Sequence, residues 1–94
     1  MREYELMMIL HPDLDETALS DTMKRVTGWI GDEGGTITKS EMWGKRELAY
    51  PIRKLSQGQY VLSYVTMTPK TCAVLERNLR LLEPVLRFLI VVKE

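Results

Sequence analysis

Few residues of this 94-residue chain could do chemistry: one histidine, one cysteine, and thirteen basic against thirteen acidic side chains. Histidine invites a catalytic reading as a residue type, but His11 precedes Pro12 and has no serine or cysteine nucleophile beside it in sequence. It reads as a loop residue without chemistry. Cys72 falls on an apolar helical stripe, where a thiol behaves as a small hydrophobe unless something lowers its pKa. A lone cysteine also makes neither an internal disulfide nor a thiolate cluster for zinc, so the fold must rest on packing. No catalytic residue, metal or cofactor is expected.

What remains is recognition by charge. The net charge is zero, which counts against a free-standing nucleic-acid binder, since such domains are usually basic. The distribution is uneven, however. Residues 1–41 hold nine acids and four bases, a net of −5, and residues 42–94 hold nine bases and four acids, a net of +5. An acidic partner for the basic half is one implication. The bases to weigh are Arg2, Lys45, Arg46, Arg53, Lys54, Arg87 and Lys93. Taken singly, each is solvated surface charge. Placement raises the group above that, because Arg2 opens the first strand and Lys93 closes the last, so antiparallel neighbours would bring them to one sheet end. Residues 43–52, Trp-Gly-Lys-Arg-Glu-Leu-Ala-Tyr-Pro-Ile, set a basic pair beside a glycine and read as a strand edge that meets a partner.

The elements that position these residues follow from hydrophobic period. In residues 2–10, Tyr4, Leu6, Met8 and Leu10 share one phase of a strand, and Glu3, Glu5, Met7 and Ile9 the other. Pro12 stops that strand. Asp15 is the expected N-cap of a helix whose stripe is Leu19, Met23, Val26 and Ile30, ending near residues 32–33 ahead of Gly34-Gly35. A second strand begins at Thr36. Its apolar phase changes between Trp43 and Leu48, which calls for a bulge near Gly44 to keep Ile37, Trp43, Leu48, Tyr50 and Ile52 on one face, with the last three in the core. Pro51 marks this strand as an edge. Residues 53–58 read as a turn and 59–67 as a third strand, central because both phases are apolar. Thr68-Pro69 opens a second helix with the stripe Cys72, Leu75, Leu79 and Leu82, closed by Pro84; residues 85–92 are the last strand, with Lys93-Glu94 at the domain edge.

The order βαββαβ is the ferredoxin-like split βαβ arrangement, an α+β fold with a four-stranded antiparallel sheet and two helices on one face. One domain is expected over residues 1–94, burying roughly 60–65% of its unfolded surface. The N-terminus turns acidic where a signal peptide turns apolar, and no apolar run is long enough for a membrane span, which fits a cytoplasmic setting. The sheet's other face should be an open apolar patch of Met7, Ile9, Tyr60, Leu62 and Tyr64. A metal-carrying version of the fold would need a cysteine pair after the first strand, where this chain has His11-Pro12-Asp13. A phosphate-hydrolysing version would need a basic cradle there, whereas Asp13, Asp15 and Glu16 repel phosphate. Base stacking on the open face is disfavoured because Tyr4 points to the core, which leaves contacts of arginine and lysine with an RNA backbone.

The segment from Trp43 to Ile52, the Lys54–Gly58 turn leading to Tyr60, the opening Arg2-Glu3-Tyr4-Glu5 and the closing Val85-Leu86-Arg87-Phe88-Leu89 resemble the bacterial small-subunit ribosomal protein six family over essentially the whole chain. The resemblance implies a structural protein, not an enzyme, that binds the central domain of small-subunit ribosomal RNA jointly with the eighteenth small-subunit ribosomal protein. That partner would supply positive charge this chain lacks. Carried onto this sequence, Arg2, Arg87 and Lys93 are the expected RNA-backbone contacts. Trp43, Lys45, Arg46, Arg53 and Lys54 are expected to contact the RNA or the partner protein. The sequence departs from the resemblance in ending at Glu94, without the longer tail of many such relatives, which leaves tail-borne contacts open. The alternative is a ferredoxin-like interaction or regulatory module that oligomerises through its open face without RNA.

Overall fold

The computed structural model describes residues 1–93, and Glu94, expected at the domain edge, lies outside them. The elements are β1 (Arg2–Leu10), α1 (Glu16–Asp32), β2 (Thr36–Ile52), β3 (Leu55–Met67), α2 (Pro69–Leu81) and β4 (Val85–Val92). Both helices are capped as their sequences require: Asp15 Oδ1 accepts from the Ala18 N–H at 2.8 Å, and Thr68 Oγ1 from the Thr71 N–H at 3.2 Å. The strands form one sheet in the order β2-β3-β1-β4, every neighbouring pair antiparallel.

Register decides which residues share a face. Tyr4, Leu6 and Met8 stand opposite Val65, Ser63 and Val61 on one side and Val92, Ile90 and Phe88 on the other. This phase packs against the stripes Val26 and Ile30 of α1 and Leu75 and Leu79 of α2, which makes the core. The opposite phase, Met7 and Ile9 of β1 with Tyr60, Leu62 and Tyr64 of β3 and Leu89 of β4, lies on the face that carries no helix. The expected open patch is therefore present, although Leu62 at its centre is 9% exposed because strands flank it on both sides.

The β2–β3 hairpin departs from expectation in three ways. It turns over two residues only, because Arg53 and Lys54 take left-handed backbone angles (φ 51° and 64°) and pairing resumes at Ile52–Leu55. Residues 55–58, expected as turn, are strand; the two-residue turn went unread because neither central residue is the glycine or asparagine that usually announces it. Second, a register shift does occur between Met42 and Gly44, with Gly44 at φ 78°, but another falls between Ile37 and Lys39. A third lies between Glu47 and Ile52, and with the first two Ile37 stays over the helices while Leu48 packs against Gly58 on the side of Ile9. Third, Tyr50, expected in the core, is 51% exposed, and Leu48 and Ile52 are half-buried, because the hairpin extends beyond the end of β1 where no helix covers it.

The hairpin tip is nevertheless anchored. Arg53 Nη1 donates to the Glu83 carbonyl at 2.8 Å and Nη2 to the Val85 carbonyl at 3.2 Å, tying the turn to the loop before β4. Gln59 Nε2 reaches the carbonyls of His11, Pro12 and Leu14 at 3.0–3.3 Å and fixes the β1–α1 loop.

Candidate nucleic-acid interface

Antiparallel pairing of β1 with β4 brings Arg2 and Lys93 to one end of the sheet, the Lys93 N–H donating to the Glu3 carbonyl at 2.9 Å. Arg2 stands opposite the buried Met67 in the helix-facing phase, whereas the Lys93 ammonium lies 5.3 Å from the Tyr64 ring centre on the open face. The two cations thus address the same sheet end from opposite faces. Lys39 of β2 adds a third, its ammonium 5.9 Å from the same ring. Sequence reasoning passed over Lys39; the signal was that it occupies the β2 position opposite Tyr64.

From this end a string of polar contacts runs along β2. Glu41 is its hub, meeting Lys39 at 3.3 Å, accepting from Trp43 Nε1 at 3.2 Å and from the Tyr64 hydroxyl at 3.4 Å. The Trp43 and Lys39 hydrogen bonds hold the Glu41 carboxyl below the usual carboxylate range. Loss of solvation and the negative charges of Glu41 and Glu5 push the Tyr64 phenol up. Arg46 follows, its guanidinium 5.4 Å from the Trp43 ring, and Lys45 stands opposite Gln59 with its side chain exposed.

Arg87 is not part of this group. It pairs with Ile9 at the opposite end of the sheet, where its guanidinium lies 5.1 Å from the Tyr50 ring centre and donates to the Tyr50 hydroxyl. Arg53 is committed to the two carbonyls that anchor the hairpin, and Lys54 is exposed at the turn beside it. The sites expected from sequence therefore gather at two ends of the sheet, Lys93 on the open face and Arg2 on the helix-facing side at one end and Arg87 at the other, with Met7 and Leu62 between Lys93 and Arg87. Two of the aromatic rings that order these cations, Tyr50 and Tyr64, were not among the expected contacts. Tyr50 in particular was hidden by its apolar neighbours Leu48 and Ile52.

The rest of the chemistry is sparse. His11 Nδ1 accepts from the Asp13 N–H at 3.1 Å, a local turn contact. Burial, with Glu76 nearby, raises the Cys72 thiol pKa, the opposite of an activated nucleophile. Among the described residues no group of three or more His, Cys, Asp or Glu is arranged to hold a metal, and no helix is long and apolar enough to cross a membrane.

This arrangement can be set beside known proteins. Residues 3–92 match the family described as ribosomal protein S6. The chain belongs to the ribosomal protein S6 family. A small ribosomal subunit protein bS6 from Caldanaerobacter subterraneus subsp. tengcongensis is 45% identical over 91 residues, covering 97% of this chain and 96% of that one. The bS6 protein of Nocardia farcinica is 45% identical over 87 residues, covering 93% and 92%. The crystal structure of the 30S ribosomal protein S6 from Thermotoga maritima superposes with a TM-score of 0.89 at 29% identity, covering 98% of this chain and 87% of that one. The S6 fold of that structure is the ferredoxin-like sheet described above. Membership makes this a ribosomal protein, with translation as its setting and the bacterial cytoplasmic ribosome as its location.

Proposed function

We propose that this S6-family chain binds small-subunit ribosomal RNA in its central domain, jointly with the eighteenth small-subunit ribosomal protein, and performs no catalysis. The observation that carries the reading is the separation on the open sheet face of Lys39 and Lys93 at one end from Arg87 at the other by an apolar middle, with Arg2 at the Lys93 end on the helix-facing side. Arg2 and Lys93 at one end and Arg87 at the other are spaced to hold RNA phosphates, which supply affinity and position but no sequence reading. Met7 and Leu62 between them, with the Trp43–Arg46 edge of β2, suit a protein surface better than bare RNA. A chain of zero net charge has little attraction for RNA on its own, and a basic partner would supply what it lacks.

Filter binding to small-subunit ribosomal RNA tests both halves of the reading. Weak binding by the chain alone and strong binding with the partner present are expected; equal affinity in the two cases removes the joint mode. Substituting Arg2, Arg87 or Lys93 by glutamine should each lower the slope of log affinity against log salt by roughly 0.7–0.9 per phosphate lost. A slope that does not move takes that residue out of the interface.

A further inference from the structure

The two edges of the sheet are built very differently. β2 carries Lys39, Glu41, Lys45, Arg46, Glu47 and Pro51 and is interrupted by register shifts, all features that discourage another strand from pairing. β4, the other edge, reads Val-Leu-Arg-Phe-Leu-Ile-Val-Val, with no proline and Arg87 as its one charge. Its irregularity is confined to its first residues, opposite Ile9 and Leu10, and residues 87–92 run in unbroken register. Leu89 is 63% exposed and Val91 48%.

Hydrogen-bond phase says which backbone groups this edge offers. The Lys93 N–H reaches the Glu3 carbonyl, so odd-numbered β4 residues bond inward to β1 and the N–H and C=O groups of Phe88, Ile90 and Val92 point outward. A strand that lays itself alongside would take up these groups. The sequence itself fits that role. In an antiparallel pair of two β4 strands about a two-fold axis at Leu89, Phe88 bonds with Ile90 in both directions and Arg87 stands opposite Val91. No like charges oppose each other. An axis one residue on, at Ile90, would set Arg87 against Lys93, and one at Arg87 would set Arg87 against itself; the Leu89 axis avoids both and pairs residues 86–92 with themselves.

We propose that a second copy of this chain pairs with the first through β4, joining the two four-stranded sheets into one of eight strands about a two-fold axis at Leu89. The contact adds about four hydrogen bonds at the centre and a modest apolar area, so it belongs with small, transient interfaces. It uses the β4 edge of the sheet, leaving Arg2 and the Trp43 edge of β2 outside it, while Arg87 lies on the pairing strand and Lys93 at its end.

Sedimentation of the full chain up to the roughly millimolar range tests this. The mass should rise with concentration from that of the 10.9 kDa monomer toward twice that value. Leu89→Lys and Leu89→Glu should each hold the chain monomeric, with at least a tenfold weaker association, because each sets like charges across the axis; an equimolar mixture of the two should pair again. Amide exchange at Phe88, Ile90 and Val92 should slow as concentration rises. A chain that stays monomeric throughout, single variants that associate like the parent, or a mixture that does not pair overturns the proposal. So does protection of those amides that appears only when the eighteenth small-subunit protein is added, which assigns the edge to that partner.

Discussion

Gly58→Ala isolates the closest approach in the hairpin. Gly58 is buried, lies opposite Arg46, and has no left-handed backbone angle, so alanine can adopt its conformation. A β-carbon there would fall 2.4 Å from Ile9 Cγ2, 3.4 Å from the Leu10 carbonyl oxygen and 3.4 Å from Leu48 Cδ2. The first contact is far inside van der Waals range, and Ile9 cannot swing away easily because its β-branched side chain is fixed between Tyr60 and Arg87. Forcing a methyl into packed surroundings costs about 1–3 kcal/mol, offset by about 0.4–1 kcal/mol from the stiffer unfolded chain. The net loss should be about 1–2 kcal/mol, a fall in Tm of about 5–15 °C in a domain of this size. Urea unfolding of Gly58→Ala, Ile9→Ala and the double variant measures the coupling: removing Ile9 Cγ2 should recover about 1 kcal/mol of the alanine penalty. A neutral or stabilising Gly58→Ala, or a penalty unchanged in the Ile9→Ala background, refutes the steric account.

Other consequences can be checked on the same protein. Asp15→Ala removes the α1 cap and should cost about 1 kcal/mol in a urea midpoint shift with unchanged slope. Because the Glu41 carboxyl is held below its ordinary range, its contribution is present above the unfolded value and is lost as pH falls through the lowered folded value. Trp43 fluorescence in a Trp29→Phe background should therefore change only once the pH falls below the ordinary glutamate range, and lose that transition in Glu41→Gln. The raised Cys72 pKa leaves the thiol protonated near neutrality, so labelling of the folded chain should be slower than that of the unfolded chain and accelerate at alkaline pH.

The elements were legible because each obeys a local rule that the tertiary structure had no reason to override. Alternation in Tyr4, Leu6, Met8 and Leu10, the 3–4 spacing from Leu19 to Ile30, and the caps at Asp15 and Thr68 all found the partners their spacing demanded. The hairpin was harder. A left-handed Arg53-Lys54 pair has no intrinsic preference for that geometry; it is held by Arg53 bonding carbonyls some thirty residues away in sequence. Nothing local to residues 50–58 encodes that anchor.

The sequence by itself determined the family, the order of elements and the core stripes of β1, α1 and α2, because period and capping act over a few residues and the segment 43–52 is distinctive. Only the tertiary structure decided how the recognition residues are grouped. It brought Arg2, Lys93, Lys39 and Tyr64 to one end of the sheet, sent Arg87 to the other end with Tyr50, and turned Arg53 into a structural anchor. The reason is that side-chain neighbours across a sheet are fixed by strand order and register, and three register shifts along β2 re-aim its side chains in a way that the bare alternation of its residues does not specify.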